Sequence, residues 1–176
     1  MTGTKACLGC GALVPDIDGP VHKYVPSSPG CWKTFGEVQV DEAQRFRYTP
    51  AHLVVVDAYM AQHPGDGSDR RDRQSVFVHL VGGCAALEHT ALPAYTTKLL
   101  SRVIRHRQGQ FPVLHRSHGP GPLTVLHMVG AADLVDYERR TREWATSVWN
   151  SWNEHHELIR SELRNVLDVA QRDVGA

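Results

Sequence analysis

The stretch WATSVWNSWNEHHELIRSELRNV, residues 144–166, decides how the chain as a whole is read. Trp144, Val148, Trp149, Trp152, His156, Ile159, Leu163 and Val166 recur there at three- and four-residue steps. That spacing lines one face of an α-helix and gives the strongest periodicity in the sequence. With Leu134 and Val135 it predicts a last helix over about residues 132–171, its tryptophans anchoring a core.

Upstream, residues 108–123 hold Gly109, Pro112 and Gly119-Pro120-Gly121-Pro122, too many breakers for a helix, so a long loop is expected. Thr124 then caps a short helical run. Before the loop, Pro93 opens a helix to about residue 107, with Leu99, Leu100, Val103 and Ile104 on one side. A helix over about 71–90 carries Val76, His79, Leu80, Gly83 and Leu87 on one face. Thr49-Pro50 is a start signal, an N-cap residue followed by proline at the first helical position, for a helix over 50–63 that stops at Pro64-Gly65. A shorter helix starts near Trp32. The expected fold is mainly α. A bundle of four to five helices spans residues 41–176, and a small zinc-knuckle-like loop module spans residues 1–40.

The chain has 176 residues, 41% hydrophobic and 22% charged, as globular chains are. Lys plus Arg and Asp plus Glu are equal at 19 each, which speaks against nucleic acid as a partner. The runs at Arg70, Arg71 and Arg73 and at Arg102, Arg105 and Arg107 then read as solvated faces. No apolar run approaches the roughly 18 residues of a membrane span, and no export signal opens the chain. A cytoplasmic location is expected, as is the ability to form a homo-oligomer.

The first thirty-odd residues are rich in Gly, Pro and Ser and hold three of the four cysteines. Cys7-Leu8-Gly9-Cys10 is a C-x-x-C turn with Gly9 and Gly11 flanking Cys10. Such a turn presents two thiolates to one ion, and zinc completes a tetrahedron with nitrogen or sulfur ligands. His22 and Cys31 are the nearby residues able to complete the set, so Cys7, Cys10, His22 and Cys31 are the expected ligands of a structural zinc. A redox role for the C-x-x-C pair fits poorly, because Gly11 and Pro15 do not begin a helix.

Eleven histidines are an excess for this length. Imidazole is the side chain most used for metal binding and for proton transfer near neutral pH. Helix register places His52 or Asp57 level with His79, and His156 continues the tryptophan seam. His52, Asp57, His79 and His156 could therefore hold a second divalent metal that activates water over a small-molecule substrate. Asp57 would be a ligand or base, Tyr59 a proton donor and the 108–123 loop a lid. His63, before Pro64, is read as capping its helix end. The plainer alternative is that these histidines satisfy core hydrogen bonds.

Four stretches resemble a group of uncharacterised bacterial proteins that share a domain of unknown function. They are Cys7-Leu8-Gly9-Cys10-Gly11-Ala12, Ser28-Pro29-Gly30-Cys31-Trp32, Val56-Asp57-Ala58-Tyr59 with Gln62-His63-Pro64-Gly65, and Ser75-Val76-Phe77-Val78-His79-Leu80. The Trp149 to His156 segment is similar too. Leu8 departs from the proline expected in the turn, and the resemblance implies no activity. A fainter likeness is to the DinB/YfiT-like helical metalloproteins, whose bundle holds a metal through three histidines. This chain has adjacent His155-His156 in place of their paired H-x-x-x-H on the last helix.

Two functions follow from these readings. One is a metal-dependent hydrolase or transferase with a structural zinc at its N-terminus. The other is a non-enzymatic, zinc-stapled interaction or regulatory module.

Overall fold

A computed structural model describes residues 3–89 and 93–174. Six α-helices and one small antiparallel hairpin make up its regular structure, apart from two 3-10 turns. The hairpin pairs β1 (Thr4–Ala6) with β2 (Leu13–Pro15), Lys5 opposite Val14, and the C-x-x-C turn is its loop.

Helix α1 (Pro29–Phe46) starts earlier than the apolar spacing at Trp32 suggests. Ser28-Pro29 is its start. The Ser28 hydroxyl accepts the Cys31 N–H, and proline takes the first position, where its missing N–H costs nothing. The helix runs through residue 40 and ends at Arg47, in the left-handed conformation. Helix α2 (Ala51–Gln62) begins where Thr49-Pro50 signals, with the Thr49 hydroxyl accepting the Ala51 N–H.

Helix α3 (Arg70–Glu88) is capped by Asp69, and α4 spans Pro93–Arg107. The run after Thr124 is a single 3-10 turn, Val125–Met128, whose first free N–H is held by the Thr124 hydroxyl. The periodic stretch that opened the sequence analysis is not one helix. It divides into α5 (Leu134–Asn150) and α6 (His156–Val174), with a 3-10 turn at Asn153–His155 between them.

The break has a local cause and a tertiary one. The Ser151 hydroxyl donates to the Val148 carbonyl at 2.7 Å, competing with the helical ladder. The Trp152 indole N–H reaches across to the Ala61 carbonyl at 3.2 Å, tying the turn to α2. The apolar seam survives because both helices bury it in one core, α5 against α2 and α3, and α6 against α3 and α4. Trp144 and Trp152 are fully buried and Trp149 nearly so, as core anchors.

Helices α2, α4, α5 and α6 all pack on α3, which is therefore the axis of the bundle. Its Gly82 lets α2 come close, because a Cβ there would lie 2.3 Å from Asp57 Oδ2. The buried residues run without interruption from Cys7 and Val14 in the hairpin to Val166 in α6. No described helix is long and apolar enough to cross a membrane.

The histidine excess has a structural outlet. Glu42, Asp57 and Glu162 are buried carboxylates. Each meets the Nδ1 of a partly exposed histidine: His52 at 2.8 Å, His79 at 2.7 Å and His106 at 2.9 Å. Arg107 adds a second partner to Glu162 at 2.6 Å. A buried carboxylate is costly unless hydrogen-bonded, and an imidazole N–H at the rim supplies the bond while its ring stays near water.

Candidate metal centre

Three segments converge beside the hairpin. The knuckle between β1 and β2 presents Cys7 and Cys10, its turn closed by Gly11 N–H to Cys7 carbonyl and Cys7 N–H to Ala12 carbonyl, both 2.8 Å. The first turn of α1 presents Cys31, where the helix N-terminus favours a thiolate. The end of α2 presents His63, its C-cap residue, with Pro64 forbidding continuation. All four side chains are buried, and their ligand atoms lie within 4.8 Å of one another.

Three of the six inter-donor distances match the edges of a tetrahedron, and the others lie within 4.8 Å. Zinc bonds of about 2.3 Å to sulfur and about 2.0–2.1 Å to nitrogen imply edges of about 3.8 Å between two sulfurs and about 3.5 Å between sulfur and nitrogen. Cys10 Sγ and Cys31 Sγ are 3.7 Å apart, and His63 Nε2 is 3.5 Å from both Cys7 Sγ and Cys31 Sγ. A Cys3His group in this arrangement could hold a metal ion.

The surroundings orient these donors. His63 donates its Nδ1–H to the Tyr59 carbonyl at 2.7 Å, which leaves the Nε2 lone pair aimed at the sulfurs. The Ser28 N–H points at Cys7 Sγ at 3.4 Å, and the Tyr59 hydroxyl donates to Cys31 Sγ at 3.6 Å. Tyr59 stacks on Phe35 with ring centroids 3.9 Å apart and so holds α1 against α2. Gly9 has to be glycine, because a Cβ there would sit 2.4 Å from the His63 ring and 2.8 Å from the Pro26 carbonyl.

The electrostatics suit a cation. The hydrogen bond with Cys10 holds Cys7 well below the usual thiol range, and the same neighbour pushes Cys31 far above it. Thiols at this range compete for protons, whereas a divalent ion lets all three be thiolates together. Burial works against the charged His63 ring, but hydrogen bonds to Cys10 and Cys7 outweigh it and raise the imidazole to about 9. The site thus draws positive charge to its centre.

His22, the histidine nearest in sequence, does not join the cysteines. It is exposed, its Nδ1 accepts the Tyr24 N–H at 3.2 Å, and its ring lies against Trp32. His63, read from sequence as a helix cap, is the C-cap residue and also brings the fourth donor to the cluster. The signal available for it was a histidine held in place by a following proline at a helix end. Sequence proximity pointed to His22 instead.

The other expected ligands do not gather around one point. His52 is engaged with Glu42. His156 stacks on Trp149 at 3.8 Å and donates its Nε2–H to the Trp149 carbonyl at 2.9 Å, which removes that nitrogen as a ligand. His79 pairs with Asp57, and no third donor joins them among the described residues. Tyr59 is fully buried with its hydroxyl on Cys31, and burial pushes its phenol far above its ordinary range.

Asp57 is notable even so. Its Oδ1 meets His79, its Oδ2 has no hydrogen-bond partner, and Gly82 presses so close that a Cβ there would lie 2.3 Å from Oδ2. A cavity of about 10 Å³ adjoins the pair, lined by Val54, Ala58, Gly83 and Trp149 among others, which is room for about one water. Burial raises the Asp57 carboxyl above its ordinary value, with the His79 contact opposing. The folded state therefore keeps this proton at pH values where the unfolded chain, with a pKa near 3.9, has lost it. Asp57 contributes stability below about pH 4 that is lost as pH rises through its folded value. In urea unfolding across that window, wild type should lose stability relative to Asp57→Asn as pH rises; a pH-independent difference would refute the assignment.

A second grouping, Cys84, Glu88 and His89, lies at the end of α3. Arg160 holds both Glu88 oxygens at 2.7 and 2.8 Å, and the Trp149 indole N–H adds a third bond. Burial pushes the Cys84 thiol up to about 12. The acidic arm is satisfied by the protein's own cation and the sulfur stays protonated.

The 108–123 loop, expected as a lid, is strapped down. Phe111 and Leu114 are buried, and the His115 carbonyl accepts from His155 Nε2 at 2.8 Å. The Gln62 side-chain amide donates to the Pro120 and Leu123 carbonyls at 2.8 and 2.7 Å.

No curated protein and no solved structure matches the chain. One family model does match, over residues 5–153, a span that includes all four members of the Cys3His cluster and stops before α6. The chain belongs to the family of unknown function DUF5946.

Proposed function

We propose that Cys7, Cys10, Cys31 and His63 hold a structural zinc ion, and that the chain is a zinc-stapled interaction or regulatory module without chemistry at that centre. The observation that carries the reading is the agreement of three inter-donor distances with the edges of a zinc tetrahedron. Four protein donors close the coordination sphere, and their burial leaves no open position for a substrate. Three thiolates and one imidazole are a soft donor set, which favours zinc over magnesium or calcium. The ion would join three segments, the hairpin loop, the α1 N-terminus and the α2 C-terminus, adding to the Tyr59–Phe35 stack and the Ser28 N–H to Cys7 contact already between them.

Elemental analysis of protein purified without chelator tests this. One zinc per chain is expected, lost in Cys10→Ser and kept in His22→Ala. Zinc-free wild type, or loss of zinc in His22→Ala, would overturn the reading.

A hydrolase- or transferase-type centre at Asp57 and His79 is the second reading. The buried Oδ2 without a partner, beside a cavity the size of one water, favours it. A second metal equivalent that disappears in His79→Ala would establish it, whereas one equivalent in both proteins would leave the pair as a core hydrogen bond.

A further inference from the structure

Arg116, in the middle of the 108–123 loop, reaches both segments that bring ligands from outside α1. Its Nη1 donates to the Gln62 carbonyl and its Nη2 to the Gly9 carbonyl, each at 3.3 Å. Gly9 lies inside the C-x-x-C turn, and Gln62 immediately precedes His63. One planar guanidinium therefore bridges the knuckle to the helix end that carries the imidazole, while its face lies 5.3 Å from the Trp152 ring. Burial works against the Arg116 charge, and the Cys10 thiolate supports it.

The charge count gives this contact a purpose. Zinc with three thiolates and a neutral imidazole carries one net negative charge in a buried place. A half-buried guanidinium at its edge offsets that charge and polarises the backbone groups that hold the donors. The far end of the loop is anchored separately, by the Leu123 N–H on the Ser147 hydroxyl at 3.2 Å and by the two Gln62 bonds.

We propose that Arg116 is a positioning residue of the metal centre, and that through it metal occupancy and the seating of the 108–123 loop are one coupled equilibrium. The inference rests on the zinc reading above. Linkage makes the coupling reciprocal: a seated loop tightens the metal, and a bound metal tightens the loop. The loop is then the part of the surface through which the state of the centre is transmitted.

The test measures zinc affinity by chelator competition, and amide exchange over residues 111–123 with and without zinc, on the full chain. Arg116→Ala should weaken zinc by about 10- to 100-fold, as loss of a metal's outer partners does, while keeping one ion per chain. Arg116→Lys should recover part of the loss, since it restores the charge but not the two-carbonyl fork. Ser147→Ala loosens the loop at its other end and, because both Arg116 contacts remain, should weaken zinc by clearly less than Arg116→Ala does. The cobalt-substituted Arg116→Ala protein should show a shifted thiolate-to-metal charge-transfer band, which a loop contact of structural value alone would not move. In wild type, zinc removal should speed exchange in the loop. Wild-type affinity and an unmoved cobalt band in Arg116→Ala would overturn the inference and leave the zinc reading intact, as would an equal loss of affinity in Ser147→Ala. Wild type that binds neither zinc nor cobalt would instead remove the reading on which it rests.

Discussion

With zinc in the Cys3His cluster, as proposed above, His63→Ala is expected to abolish the thermal stabilisation that the ion would give. The substitution removes the only nitrogen donor of the cluster and leaves Cys7 and Cys31 without the partner 3.5 Å from each sulfur. Structural zinc sites are two-sided: ligands that the fold brings together bind the ion, and the ion stabilises the fold. At free zinc near a thousand times the dissociation constant, the ion contributes about 4 kcal/mol to stability. For a chain of this length that is roughly 8–16 °C in Tm. Wild type should therefore lose about that much on adding a chelator, and His63→Ala should melt low with or without one. His63→Cys keeps four soft donors and should retain one ion. A chelator effect of full size in His63→Ala would show that the fourth donor lies elsewhere.

The second large effect is expected at Gln62, which is fully buried next to that histidine. Its side-chain amide is saturated: Nε2 donates to the Pro120 and Leu123 carbonyls, and Oε1 accepts the Trp144 indole N–H at 3.1 Å. Gln62→Ala orphans all three partners. The Trp144 N–H lies in a fully buried side chain with no route to water, and a buried donor left unpaired costs about 1–3 kcal/mol. With the two carbonyls partly rehydrated, the sum is about 3 kcal/mol, or roughly 6–12 °C in Tm. Urea unfolding of the zinc-loaded protein measures it, with metal content still at one per chain. A loss under about 1 kcal/mol would mean that the loop is not held through this residue.

Both substitutions fall on adjacent positions at the end of α2, its last residue and its C-cap, that sequence periodicity does not single out. Gln62 is a polar residue at a helix end and reads as solvent-facing. Its burial follows from a loop some sixty residues downstream that folds back over it, and nothing local reports that. The three histidine–carboxylate pairs are similar. His52, His79 and His106 stood out as a surplus, yet the partners that use their Nδ1 atoms are known only once α1, α2 and α6 are packed.

What the sequence determined by itself are the features set by neighbours a few residues apart. The helical class follows from apolar residues at three- and four-residue steps, and the α2 start from Thr49-Pro50. Two thiols at one turn follow from Cys7-Leu8-Gly9-Cys10, because glycines on both sides of Cys10 let that turn close. Ser28-Pro29 was equally local and marks the true start of α1. Only the tertiary structure decided the rest. It broke the 144–166 seam into two helices, because one apolar face serves a bundle as well in two pieces as in one. It also placed His63, 32 residues beyond Cys31, rather than His22 beside the three cysteines. A metal site selects its ligands by distance in space, and in this fold His63 at the end of α2 lies buried among the three cysteines while His22 is exposed.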